Sequence, residues 1–175
     1  MLAYPGRTES ADAAKRRGAV DVALASVMRD ALLRRSEAAA LTWAAVDFRP
    51  DGSARVTVTR SKTDAEPRIL YAGRAAAAAL RRIAPADPEP DARVFGMATG
   101  RTVSNRIAAM ARAAGLGDGF SGHSPRVGMA QDLTASGASL QALQVAGRWK
   151  SVRMPARYSA RERAARGAVA KYYRR

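Results

Sequence analysis

Apolar residues recur every three or four positions between Val20 and Leu33. This spacing places the apolar side chains along one stripe of an α-helix, so the segment predicts an amphipathic helix with one buried face. Residues 1–17 are polar and lack this periodicity, which predicts a flexible N-terminal arm. A short second helix is predicted around residues 37–41, with Ser36 as its N-cap.

Apolar and polar residues alternate from Arg55 to Thr59, the period of two that is typical of a β-strand. The preceding Pro50-Asp51-Gly52 predicts a turn, because proline and glycine supply backbone angles that turns require. A return strand is expected at residues 68–71, after a polar hairpin tip that contains Lys62. The pattern therefore predicts a small antiparallel sheet over about residues 44–71.

Signals for helix starts follow one another through the rest of the chain. Ser124 before Pro125 is one of them, because proline at the first helical position lacks only an N–H that would be unpaired anyway. Other helices are predicted to begin near Gly73, Thr102, Ser139 and Ser151, and a tail helix is predicted over about residues 161–173. The predicted fold is mostly α with a small antiparallel β-sheet, an α+β class, in one domain over residues 18–175.

The net charge of +15 and the pI near 11.4 indicate which class of partner this protein would bind. A field of that size favours polyanions, of which nucleic acid is the commonest. Only four of the 30 basic residues are lysines, so an arginine bias of the kind that GC-rich coding produces is an alternative origin of the charge. The chain has no cysteine, signal peptide or long apolar run, which predicts a cytoplasmic protein without membrane association.

Metal and cofactor chemistry find no support in the sequence. His123 is the only histidine and there is no cysteine, so a zinc site lacks its usual ligands. Asp87, Glu89 and Asp91 alternate with prolines, which favours a solvated linker over a two-metal site. There is no glycine-rich phosphate loop. We therefore predict no metal and no cofactor, and chemistry on a phosphate would depend on side chains alone.

Two arginines lie in contexts that suit binding of a phosphate. Arg126 falls in the first turn of the helix predicted after His123, where backbone N–H groups and the helix dipole attract anions. Arg34 precedes Glu37 by three residues, close enough for the carboxylate to orient its guanidinium. A capping histidine and ordinary surface charges are the alternative interpretation of these residues.

Three further residues carry groups that could take part in a reaction of a phosphodiester. Lys62 is a rare lysine in an arginine-rich chain, and lysine, unlike arginine, can release a proton. Trp149 lies in a polar stretch and offers an indole N–H and a shielding ring. Tyr158 follows Trp149 by 9 residues, and Trp149 follows His123 by 26. Each residue alone is also compatible with a solvated or packing role.

Taken together, these residues resemble the tyrosine recombinases of the phage integrase family, and most closely the Cre-like members. The resemblance rests on Leu-Leu-Arg34-Arg-Ser-Glu37, Ser-Lys62-Thr, His123-Ser-Pro-Arg126, Ala-Gly-Arg-Trp149 and the spacing to Tyr158. It extends from about Val20 to the C-terminus and implies the catalytic-domain fold of that family.

The resemblance implies a site-specific recombinase or integrase of a mobile element. Such an enzyme cleaves and rejoins double-stranded DNA through a 3′-phosphotyrosyl bond, without a metal ion or ATP. The implied nucleophile is Tyr158, and Arg34, supported by Glu37, and Arg126 would bind the phosphate. Lys62 would donate a proton to the leaving oxygen, and His123 would help to move the tyrosine proton. Trp149 would donate a hydrogen bond to the phosphate or brace the site.

The resemblance also implies two features at the ends of the domain. The separate N-terminal domain that family members use to encircle DNA is expected to be absent, since at most about 17 residues precede the predicted domain. The apolar stripe of the tail implies self-association on DNA, and folding back onto its own domain is the alternative. Two other functions stay open, namely a non-catalytic DNA-binding remnant of an integrase and a topoisomerase of type IB-like chemistry.

Overall fold

A computed structural model describes residues 10–58, 66–160 and 172–173. The chain divides into two compact units, Met1–Pro125 and Arg126–Arg175. The described part of the chain is mostly helical with a small antiparallel sheet, which confirms the predicted fold class.

The first helix, α1, covers Ala11–Asp30 and is longer at its start than the periodicity predicts. The hydroxyl of Ser10 accepts a hydrogen bond from the Ala13 N–H at 3.2 Å and caps the helix. Residues 11–17 are therefore helical, where the sequence predicted an arm. They escaped prediction because alanines and a cap support these turns without a buried stripe.

Helix α2, Arg35–Ala40, is capped differently from the prediction. Ser36 lies inside the helix, and the Glu37 carboxylate accepts the hydrogen bond of the Arg34 N–H at 2.7 Å. The cap is thus the Glu37 side chain, which reaches back by one turn and forms the glutamate half of a capping box. A short 3-10 helix, Trp43–Ala45, leads from α2 into the sheet.

The predicted sheet is confirmed, with strands β1 Val46–Phe48, β2 Ala54–Val58 and β3 Arg68–Ala72 in the order β1-β2-β3. Both pairs are antiparallel, and Val56 lies opposite Val46 on one side and Leu70 on the other. The predicted tip of the β2–β3 hairpin, with Lys62, lies in residues 59–65, outside the described part of the chain.

Helices α3, Arg74–Ile83, and α4, Gly100–Ala113, complete the core of the first unit. A buried ion pair that the sequence did not reveal joins α1 to α4. Asp21 is fully buried and accepts two hydrogen bonds from the Arg106 guanidinium, through Nε and, at 3.0 Å, through Nη2. Two bonds from one planar fork satisfy both oxygens, which a carboxylate buried this deeply requires.

The remaining helices are α5 Ser124–Ala135, α6 Leu140–Gly147 and α7 Arg153–Tyr158. Ser139 caps α6 as predicted, because its hydroxyl accepts from the Ala142 N–H at 3.1 Å. The Ser124 hydroxyl instead turns back and accepts from the Ser121 N–H. The predicted tail helix falls mainly on residues 161–171, outside the described chain, where only the exposed Tyr172 and Tyr173 follow. None of the helices in the described ranges has the length and apolar character needed to cross a membrane.

Candidate active site

The predicted site residues are distributed over both units. The first unit carries Arg34, Glu37 and His123, and the second carries Arg126, Trp149 and Tyr158. Lys62 falls in residues 59–65, outside the described residues.

Arg34 is oriented by Glu37, as the spacing predicts. Its Nη1 lies 2.7 Å from Oε1 of Glu37, while Oε2 accepts the Arg34 backbone N–H. The Glu37 side chain is almost entirely buried, and that of Arg34 is 27% exposed. One carboxylate thus fixes both ends of the arginine, because a pair three residues apart faces the same side of a helix start. Part of the Arg34 side chain remains exposed to solvent.

His123 lies on an exposed loop directly before α5. Hydroxyl groups hold this loop at several points. Ser121 Oγ accepts the His123 N–H at 3.3 Å, and Ser104 Oγ accepts the Gly122 N–H at 3.0 Å. These bonds fix the backbone that carries the imidazole, while residue His123 itself is exposed.

Arg126 lies in the first turn of α5 and is buried, with 1% of its surface exposed. Its Nη2 donates a hydrogen bond to the Gly147 carbonyl at the end of α6. Its guanidinium carbon lies 4.4 Å from the centre of the Trp149 ring, a cation–π distance. A carbonyl at its edge and an aromatic ring over its face therefore orient the planar guanidinium.

Trp149 reaches this position because of an unusual end to α6. Arg148 has φ 54°, a left-handed conformation that costs a residue with a side chain roughly 1–2 kcal/mol. The turn places the Trp149 ring against Gly147, so closely that a Cβ on Gly147 would overlap the ring. Gly147 therefore supplies both a carbonyl for Arg126 and the space for Trp149.

Tyr158 is the last residue of α7, and its ring packs on the ring of Trp149. The ring centres of Tyr158 and Trp149 are 5.9 Å apart, with planes inclined by 51°. Pro155 and Ser159, which flank Tyr158 along the chain, are buried and anchor this end of the helix. Trp149 therefore contacts both Arg126 and Tyr158, and the second unit brings its three predicted residues together.

The sequence missed the residues that arrange this group, above all Gly147 and the left-handed Arg148. Gly147 was part of the stretch Ala-Gly-Arg-Trp on which the family resemblance rests, but nothing in the sequence marked it as a partner of Arg126. The group brings together a guanidinium, an indole and a phenol, which are the side-chain types that supply a charged fork, a hydrogen-bond donor and a nucleophile in chemistry on a phosphate. The described residues contain no group of three or more potential metal ligands.

Comparisons with known proteins identify a family. The model of the phage integrase family matches residues 8–164. No curated protein matches the chain.

Solved structures of recombinases share the fold. XerA recombinase is 21% identical with a TM-score of 0.66, over 90% of this chain and 61% of its own. XerH recombinase, bound to a palindromic difH substrate after cleavage, is 14% identical with a TM-score of 0.66, over 100% and 54%. The Tn1549 transposon integrase, in complex with transposon right end DNA, is 17% identical with a TM-score of 0.60, over 90% and 60%.

The chain thus spans 54% to 61% of the length of these three proteins. Their likeness shows a shared fold, and the family model covers most of the chain. The chain belongs to the phage integrase family, the family of the tyrosine recombinases.

Proposed function

We propose that this chain is the catalytic part of a site-specific DNA recombinase or integrase that cleaves and rejoins strands through Tyr158. The observation that carries the proposal is the position of Trp149, whose ring contacts both Arg126 and Tyr158. This contact holds a phosphate-binding cation and a phenol nucleophile in one group. Membership of the phage integrase family supports the same chemistry.

In the proposed reaction, the Tyr158 hydroxyl oxygen attacks the phosphorus of a DNA phosphodiester. The new bond joins this oxygen to phosphorus, and the bond from phosphorus to the 5′-oxygen breaks. Lys62 gives a proton to the departing 5′-oxygen, and His123 takes the proton of the phenol. A free phenol has a pKa near 10, so its attack at neutral pH needs such a base or a positive field.

Arg34 and Arg126 bind the non-bridging oxygens and stabilise the charge that develops on them in the transition state. Charged donors aimed at such oxygens supply the largest part of many rate enhancements. Rejoining is the same step in reverse, in which a 5′-hydroxyl of a partner strand attacks the phosphotyrosine. The bond energy stays in the ester, so neither ATP nor a metal ion is required.

Double-stranded DNA is the proposed partner, and the net charge of +15 supports it. Contacts between arginines and phosphates dominate the affinity of such proteins and are weakened by salt. The XerH and Tn1549 structures contain DNA. We further propose that the protein associates with itself on DNA through its C-terminal tail.

The test uses nicked duplexes with randomised sequence around the nick, from which the short cleaved strand diffuses away. We expect the wild-type chain to form a covalent adduct that survives denaturation and releases a 3′-phosphotyrosyl peptide on proteolysis. Tyr158→Phe should abolish the adduct, because it lacks the attacking oxygen. Tyr71→Phe, at an exposed tyrosine of β3, is the matched control and should leave the adduct unchanged.

Other outcomes identify the alternatives. Salt-sensitive DNA binding without an adduct on any duplex would indicate a non-catalytic DNA-binding remnant. Relaxation of supercoiled DNA with no preference for any sequence in the library would indicate a type IB-like topoisomerase. An adduct that persists in Tyr158→Phe would disprove the assignment of the nucleophile.

A further inference from the structure

Three backbone segments of the first unit meet at Arg35, the first residue of α2. A Cβ added to Gly122 would lie 3.0 Å from the Cβ of Arg35 and 3.2 Å from the Cα of Ser104. A Cβ added to Gly100 would lie 3.0 Å from the Cγ of Arg35 and 3.2 Å from the Ser36 nitrogen. We call Arg35, Gly100, Ser104 and Gly122 the Arg35 cluster.

The Arg35 cluster is held by a hydrogen bond as well as by close packing. The Ser104 hydroxyl on α4 accepts the Gly122 N–H at 3.0 Å. Gly122 is buried, whereas the next residue, His123, is exposed. The loop is therefore fixed one residue before the point at which it presents a side chain to solvent.

The cluster lies next to two of the predicted site residues along the chain. Arg34 directly precedes Arg35, and His123 directly follows Gly122. A shift of the loop away from α2 moves His123, and a shift of Arg35 moves Arg34. The close packing of Gly122 on Arg35 therefore influences where His123 lies relative to Arg34 within the first unit.

We propose that Gly122 and Ser104 are positioning residues that hold the His123 loop against the start of α2. Their role in catalysis rests on the proposed function, while their effect on the His123 backbone does not. A side chain at residue 122 would push against the backbone of α4 and the Cβ of Arg35, neither of which can rotate away. The Ser104 hydroxyl restricts the loop further, because it accepts the Gly122 N–H.

The chain offers a direct reporter, because His123 is its only histidine. The imidazole signals of His123 in an NMR spectrum of the free protein are thus assigned without ambiguity. We expect Gly122→Ala and Ser104→Ala each to shift these signals. Gly18→Ala, within α1, is the matched control, since a Cβ at that position lies within 4 Å of no described atom outside its chain neighbours and the nearby backbone of its own helix, and it should leave the signals unchanged.

The second readout is the rate of single-turnover cleavage at saturating DNA. We expect Gly122→Ala to lower this rate by about tenfold to a hundredfold, because misplacement by about 1 Å has effects of that size. The Kd for DNA should change by less than about twofold, since the positive charge is unaltered. A purely structural defect would lower the active fraction and leave the rate of the remaining molecules unchanged.

Each result decides the proposal. Wild-type His123 signals and a wild-type rate in Gly122→Ala would overturn it. If Gly122→Ala does not fold, Ser104→Ala decides, because it removes one hydroxyl and adds no atom. If the wild-type chain itself forms no adduct, the proposed function fails, and the His123 signals alone decide whether the cluster positions the loop.

Discussion

The two arginines assigned to phosphate binding are held in different ways. Arg34 is fixed by Glu37, a carboxylate three residues away, through its backbone N–H and its guanidinium. Arg126 is fixed by the Gly147 carbonyl, 21 residues away, and by the face of the Trp149 ring. The first arrangement forms within one turn of chain, whereas the second requires α5 and the end of α6 to fold together.

This difference separates local from tertiary positioning. The Arg34 side chain is 27% exposed and tied to an anion, so its charge is partly balanced before a phosphate arrives. Arg126 is buried with its contacts to a carbonyl and an aromatic ring. We infer that Arg34 depends on its immediate neighbours, while Arg126 depends on the integrity of the second unit.

The largest effects are expected when each of the two arginines is replaced with lysine. Lysine keeps the charge but loses the planar fork that binds two oxygens. We expect Arg34→Lys and Arg126→Lys each to lower the rate of adduct formation by about 10²-fold to 10³-fold. Arg126→Lys should also destabilise the fold by about 1–3 kcal/mol, more than Arg34→Lys does, because it leaves a buried carbonyl with a poorer donor.

Adduct formation on the nicked duplexes and thermal unfolding measure the two effects separately. Arg112→Lys, at an exposed arginine of α4, is the control for loss of a guanidinium without loss of charge. Equal destabilisation by Arg34→Lys and Arg126→Lys would contradict the distinction between local and tertiary positioning.

The contacts that position Arg34 were easier to predict from the sequence than those that position Arg126. The pairing of Arg34 with Glu37 follows from a spacing of three residues at a helix start, and the structure contains it. The sheet and the cap of α6 by Ser139 also follow from local rules. Such features are predictable because each depends on a few neighbouring residues.

The arrangement around Trp149 was not predictable, because it reverses a local rule. Glycine usually takes the left-handed position that ends a helix, yet here Arg148 takes it and Gly147 precedes it. The reason is side-chain packing, since the Trp149 ring, which lies against the Arg126 guanidinium, occupies the space where a side chain of residue 147 would lie. The buried pair of Asp21 and Arg106 was hidden because its partners are 85 residues apart.

A smaller change, Glu37→Gln, tests the charge of the local arrangement. The amide oxygen of glutamine can still accept the Arg34 N–H, but the charge-assisted bond to the guanidinium becomes a neutral one. We expect a loss of about 1–2 kcal/mol in the free energy of unfolding. Adduct formation should also slow, because Arg34 is oriented less firmly.

Urea unfolding measures the loss of stability, and the nicked duplexes measure the rate. Glu66→Gln, at an exposed residue before β3, controls for the change in net charge. If Glu37→Gln and Glu66→Gln behave alike, the charge of Glu37 has no specific role in holding Arg34.

The smallest expected effect is the energetic coupling between Trp149 and Arg126, which Trp149→Phe and Trp149→Ala test. Phenylalanine keeps a ring over the Arg126 guanidinium, whereas alanine removes the ring contacts with both Arg126 and Tyr158. Each substitution is combined with Arg126→Gln, which removes the charge and keeps an N–H donor, in a double-mutant cycle on stability. We expect a coupling energy of about 0.5–2 kcal/mol for the alanine cycle and less for the phenylalanine cycle. Strict additivity in the alanine cycle would show that the 4.4 Å contact does not hold Arg126 in place.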